Sequence, residues 1–113
     1  MNNTNLFIMN DLQKKKRNFR ASKIWKAFRH KINVMQKGLD YITHKKLLKG
    51  ANLHHMNLDA SKYEDLSNED QFIFLNKSTH TWVHEIYRYY RTDPEVLDRL
   101  KEVLDKMILI NEN

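Results

Sequence analysis

Apolar residues at Trp25, Phe28, Ile32 and Met35 recur every three or four positions. That spacing lays them on one face of a helix, with Lys23, Lys26, Arg29 and Lys31 mostly elsewhere. Ser22 is a candidate N-cap and Gly38 a candidate terminator. A second helical pattern runs from near Asn76 or Ser78 to about Tyr90, carried by Trp82, Val83, Ile86, Tyr87 and Tyr90. The clearest element is TDPEVLDRLKEVLDKMILI, residues 92–110. There Asp93 suits the N-cap, Pro94 the first helical position and Glu95 the first turn. Val96, Leu97, Leu100, Val103, Leu104, Met107 and Ile108 then form an apolar stripe. The stripe predicts a helix that packs over a central module or supports dimerisation.

Between the first two helical patterns the period changes. LDYITHKKLLKGANLHHMNL, residues 39–58, predicts two short strands joined around Lys49–Gly50, with His54 and His55 near the end of the second. Residues 57–70 lack an apolar period and read as a loop with a turn around Tyr63–Leu66. Ser67, Glu69 and Asp70 predict a brief helix leading into FIFL. Residues 1–11 read as a loose arm. Three segments follow: a basic N-terminal arm (1–21), a module with its leading helix (22–92) and a C-terminal packing or dimerisation helix (93–113). The candidate core is Trp25, Phe28, Leu47, Leu53, Phe72, Phe74, Leu75 and Trp82.

Composition sets bounds on this picture. A length of 113 residues suits one domain, and 41% hydrophobic residues support a modest core. The absence of cysteine excludes disulfides, thiolate nucleophiles and a tetrathiolate zinc site. No stretch approaches the length of a membrane span, and the polar residues around LFIM (6–9) argue against a signal peptide. Charge is unevenly divided. Residues 1–55 hold 13 Lys/Arg against Asp11 and Asp40, a net of +11, whereas residues 56–113 carry a net of −5. Lys14, Lys15, Lys16, Arg17 and Arg20 begin a basic run that can meet phosphates over several helical turns.

The candidate chemistry lies in six histidines. His54 and His55 are adjacent, and on a strand adjacent side chains point to opposite faces. His80 and His84, in STHTWVHE, are four apart and share one helix face. Two such imidazoles can bind one ion, and either member of the His54/His55 pair would complete a three-histidine face. The remaining member would then be a neighbour of the metal site, available as a base. HxxxH alone is weak, and the missing Glu of HExxH argues against that class of protease. His30 reads as an exposed or phosphate-contacting residue, His44 as a turn residue, and Asp59 and Asp65 as parts of a hydrated loop.

Together, SKIWKAFR, the strand ending LHHM and DQFIFLNKSTHTWVH resemble the small, phage-associated HNH endonucleases of the ββα-metal class over about Trp25–His84. The resemblance implies an α+β fold, a ββα-metal (HNH) module flanked by N-terminal and C-terminal helices. It implies His54, His80 and His84 as metal ligands and His55 as general base. One divalent ion is expected, with Mg2+ the working ion and Mn2+, Ni2+ or Zn2+ as alternatives. DNA is the expected substrate, contacted by the basic run and by Lys45, Lys46, Lys49, Arg88 and Arg91. Phage packaging proteins and a second copy of the chain are expected partners. No membrane is involved, and the setting is the host-cell cytoplasm for a phage protein or otherwise the cytoplasm.

Two departures matter. Gln71, nine residues before His80, stands where the family has an Asn that braces the catalytic histidine. Asn68 is a less well placed substitute. The positions of the zinc-binding cysteines of many relatives are Asp40, Thr43, Asn76 and Thr79 here. Apolar packing is therefore expected to hold the module together. A noncatalytic DNA-binding protein on this scaffold, or a helical adaptor, are the competing functions.

Overall fold

The computed structural model describes residues 10–112, with the side chain of Ala60 excepted. Two helices come first, α1 (Asp11–Arg20) and α2 (Lys23–Met35). Asn10 and Gln13 form a reciprocal capping box: Gln13 N donates to Asn10 Oδ1 at 2.8 Å, and Asn10 N donates to Gln13 Oε1 at 3.0 Å. Asp11 in the first turn and Arg17 and Arg20 in the last suit the helix dipole. The basic arm expected over 1–21 is therefore helical from Asp11 on, where the stretch read as loose (1–11) ends. Its sequence is too uniformly polar to show a 3.6-residue period, and the capping pair is the usable signal. Residues 1–9 of that arm lie outside the described residues.

Ser22 caps α2 as expected, its Oγ accepting from Trp25 N at 3.2 Å. The helix ends where Lys37 and Gly38 take left-handed conformations (φ 57° and 71°) and Gly38 N donates to Asn33 O at 3.0 Å. Glycine adopts that conformation without a Cβ penalty.

The strand pairing differs from the expected one. β1 (Asn52–His55) pairs antiparallel with β2 (Phe72–Leu75), setting His54 opposite Ile73 and His55 opposite Phe72. The segment expected as β1's partner contributes only an isolated bridge, Leu39 to Lys46. The cause is local. Asp40 turns the chain by accepting from Ile42 N (2.8 Å) and Thr43 N (2.9 Å) through Oδ1, and His44 follows with φ 57°. No run remains for a ladder. FIFL, wholly buried, supplies the partner strand, as an uninterrupted apolar run can. The expected brief helix before it is a single 3-10 turn, Glu69–Gln71, capped by Asn68, whose side chain accepts from Asp70 N. Another 3-10 turn spans Ala60–Lys62 in the long connection.

The core gathers Ile32, Ala51, Phe72 and Phe74, with Trp25, Phe28, Leu47, Leu53 and Leu66 packed around them. Phe28 and Phe72 meet edge to face at 4.8 Å. Beside this core stands a polar clamp where apolar packing was expected. Asp40 is 0% exposed and also accepts from Asn76 N through Oδ2 at 2.7 Å. Asn76 accepts from Leu48 N (2.7 Å) and donates to Lys46 O (3.0 Å). Gln36 accepts from Phe74 N (2.7 Å) and donates to Leu39 O (2.8 Å). Residues 36–48 are thereby tied to β2 and to the residue preceding the next helix. Buried backbone groups demand such partners, and here side chains provide them.

The chain divides into two compact units, Met1–Lys77 and Ser78–Asn113. α3 (Lys77–Tyr90) and α4 (Val96–Asn111) make up almost all of the second. α3 matches the expected helix and buries Thr79, while Trp82, expected in the core, is 47% exposed. α4 begins three residues after the expected cap. Asp93 instead accepts from Glu95 N at 3.2 Å and pairs with Arg99, while Pro94 stays in the turn. No residue of α4 is buried, so the stripe Leu97, Val103, Leu104, Met107 and Ile108, expected to be covered, is exposed. In general terms the topology is of the ββα type: an antiparallel strand pair followed by helices and preceded by two more.

Candidate metal centre

β1 separates its two histidines as strand geometry requires. His54 is buried at 8% exposure, while His55 is half-buried and stacks flat on Phe72, ring centres 4.2 Å apart and planes 13° from parallel. His55 Nε2 lies 3.4 Å from Gln71 Oε1. Gln71 is held in place through its backbone, its carbonyl accepting from Met56 N at 2.7 Å.

On α3, His80 and His84 stand one turn apart with their rings nearly perpendicular, at 88°. Their Nε2 atoms are 3.0 Å from each other. Burial holds the His80 imidazole below its ordinary value of 6.5, and the charge of His84 pushes it the same way. Both effects favour the neutral ring, the form that can ligate a cation.

His54 joins this pair. One ring nitrogen from each of His54, His80 and His84 lies within 4.8 Å of the other two. Around an ion with metal–nitrogen bonds of about 2.0–2.1 Å, tetrahedral ligands stand about 3.3 Å apart. The His80–His84 separation of 3.0 Å is close to that spacing and no pair exceeds 4.8 Å, so the donor set fits a divalent cation. Imidazole suits zinc, copper, iron and nickel, and three protein ligands leave positions for water and substrate.

The other candidates are placed as follows. Lys14, Lys15, Arg17 and Arg20 are exposed on α1, while Lys16 is half-buried with its ammonium 6.0 Å from the Tyr63 ring centre. Lys45, Lys46 and Lys49 are exposed in the stretch leading to β1. Arg88 and Arg91 are exposed at the end of α3. His30 and His44 are exposed and outside the triad, His44 occupying the turn expected of it. Asp59 and Asp65 hold their own loop turns. Hydrogen bonds from Ser61 and Ser67, respectively, are the main reason each carboxyl sits below its ordinary value.

Asp40 was visible in the sequence only as the counterpart of a cysteine. The sequence did carry a signal, because Asp40 is one of two acids among the first 55 residues. Comparison with known proteins finds no matching family model, and no curated protein or solved structure of significant similarity. The chemistry therefore rests on the geometry itself: a small α+β domain with a clustered histidine triad, suited to holding a metal ion.

Proposed function

We propose that the chain is a divalent-metal-dependent DNA endonuclease of the HNH type, hydrolysing phosphodiester bonds with a histidine base. The convergence of His54, His80 and His84 carries this reading, because strand alternation then leaves His55 as an unligated imidazole next to the triad in sequence. The three histidines would hold one ion; imidazole donors bind Zn2+ or Ni2+ most tightly, and Mg2+, the expected working metal, or Mn2+ would be held more weakly and keep more water. Once bound, such an ion stabilises charge developing on the phosphate and the leaving oxygen.

Neutral His55 takes a proton from the attacking water. Phe72 holds its ring flat, and the Gln71 side chain lies beside Nε2 at 3.4 Å, so that Nδ1 is the nitrogen left to meet the water. Water oxygen bonds to phosphorus and the P–O3′ bond breaks; the leaving O3′ takes a proton from solvent water, giving a 5′ phosphate and a 3′ hydroxyl. Lys14, Lys15, Lys16, Arg17 and Arg20 supply salt-sensitive phosphate affinity, and Lys45, Lys46, Lys49, Arg88 and Arg91 add further contacts. A second copy would permit cleavage of both strands, and residues 93–113 are the proposed dimerisation segment. A phage packaging complex in the host cytoplasm is the proposed setting.

The test is conversion of supercoiled plasmid to nicked and linear forms in Mg2+ or Mn2+. Wild type should cleave, and His55→Ala and His80→Ala should not. One distance favours a second reading. At 3.4 Å the His55–Gln71 contact is longer than an ordinary hydrogen bond, as in a scaffold that binds DNA without cutting it. Salt-sensitive DNA binding by folded wild type, with no cleavage in either metal, would establish that reading instead.

A further inference from the structure

Residues 82–91 of α3 read WVHEIYRYYR. Val83 and Ile86 are partly buried. Trp82, Tyr87, Tyr89 and Tyr90 are all exposed, Tyr89 most of all at 52%. Four exposed aromatic rings within ten residues are unusual for a surface with no binding role. Trp82 and Tyr89, seven apart, lie on one flank of the helix, and Tyr87 and Arg91, four apart, on another.

Arginines are interleaved with the rings. The Arg88 guanidinium lies 5.0 Å from the Tyr89 ring centre and bonds the Tyr89 hydroxyl at 3.2 Å. That of Arg91 lies 6.0 Å from the Tyr87 ring centre. Glu85, paired with Arg88, is the one acid in these ten residues.

We propose that the Trp82–Tyr89 flank of α3, with Arg88 beside it, is a stacking platform for unpaired bases, so that the substrate class is single-stranded DNA or DNA with single-stranded stretches. The proposal rests on the nuclease reading and adds the substrate's form to it. Bases stack on aromatic rings irrespective of sequence, and arginines beside the rings meet the phosphates between them. A duplex offers the same phosphates but keeps its base faces stacked inside. Arg88 and Arg91 against the single acid Glu85 leave this stretch locally positive, which favours a polyanion as occupant over a neutral protein surface.

The test is fluorescence anisotropy in EDTA, which separates binding from cleavage. The probes are a labelled strand of about sixteen thymidines, an abasic strand with the same number of phosphates, and a duplex of equal length, all at one salt concentration. The thymidine strand should bind at least about tenfold more tightly than the abasic one. Trp82→Leu and Tyr89→Leu should each weaken thymidine binding about fivefold to a hundredfold and leave abasic binding unchanged, whereas Tyr87→Leu, on the other flank, should leave both unchanged. Tyr89→Phe, which keeps the ring, should retain wild-type affinity, and far-UV circular dichroism checks that α3 is intact. Equal affinity for the thymidine and abasic strands overturns the platform, as does a loss in the leucine variants shared by both probes. In the latter case the aromatic face is left as a protein-binding surface. Plasmid cleavage with no preference for bases sinks the platform alone, whereas base preference without cleavage on any of these DNAs sinks the nuclease reading alone.

Discussion

At the residue scale, ligands and base differ in what their loss should do. His80→Ala removes one of three donors. Metal affinity should then fall by more than the roughly 10–100-fold typical of losing a supporting contact. His55→Ala should leave affinity within about twofold of wild type while abolishing cleavage, since its ring stacks on Phe72 and belongs to no donor set. Isothermal titration with Mn2+ checks both, and an equal loss in the two variants would make His55 a ligand. The depressed His80 gives a pH effect of defined sign. Its folded-state value lies below 6.5, so the unfolded chain takes up the proton first as pH falls. Stability is therefore fully present above 6.5 and declines from there toward the lowered folded value. In urea denaturation between pH 7.5 and 5, His80→Gln should flatten that decline, and an unchanged slope would remove His80 as its source. His80 and His84 were legible because i,i+4 helix residues share a face. Spacing says only that His54 and His55 face opposite ways, and His54 as the third ligand was implied by the family resemblance. The partnership of His55 with Phe72 was not legible, because it depends on a register set from outside its own strand.

At the element scale, what sequence conveyed depended on where each element finds its partners. α2 and α3 carry their own period and α2 its own cap, so their reading held to within a residue or two. β1 was found, but its partner lay seventeen residues beyond its end, and no local pattern says which extended segment it meets. α1 is too polar for periodicity to show. The clamp around Asp40 was least legible, since its carboxylate joins a local turn at Ile42 and Thr43 to the backbone of Asn76, 36 residues on. Its energetic consequence is direct. Asp40→Ala would leave three backbone N–H groups without their acceptor, at about 1–3 kcal/mol for each that stays buried. We expect a loss of roughly 3 kcal/mol or more in urea denaturation, and a loss below about 1 kcal/mol would show that water can replace the carboxylate. Asp40→Asn should cost less, because its amide oxygen still accepts from the turn. A fold held this way, without cysteines, should also stay cooperatively folded in EDTA, unlike small domains organised by structural zinc.

At the scale of the whole molecule, the uneven charge is the feature that sequence conveys most fully, because net charge needs no fold to be counted. The fold adds which of those charges are exposed on one short element. Lys14, Lys15, Arg17 and Arg20 are exposed on α1, with no ion pair from any of them among the described residues. By contrast, the basic residues of α4 are all paired, Lys101 with Asp105 and Lys106 with Glu102 on the same helix and Arg99 with Asp93 and Glu95 just before it. Only unpaired cations gain fully from displacing the counterions of DNA, so α1 should dominate the salt dependence and α4 contribute little. Each phosphate neutralised on a duplex contributes about 0.9 to the slope of log affinity against log salt. Changing Lys14, Lys15 and Arg17 together to Gln should therefore flatten the slope by about 2 to 3. Changing Lys101 and Lys106 should leave it nearly unaltered. Filter binding from 50 to 200 mM salt reads both, and equal flattening by the two variants would mean that affinity follows net charge alone. A selective effect of α1 would mean that DNA lies along that helix, making the basic segment a docking element whose geometry, as well as its charge, matters.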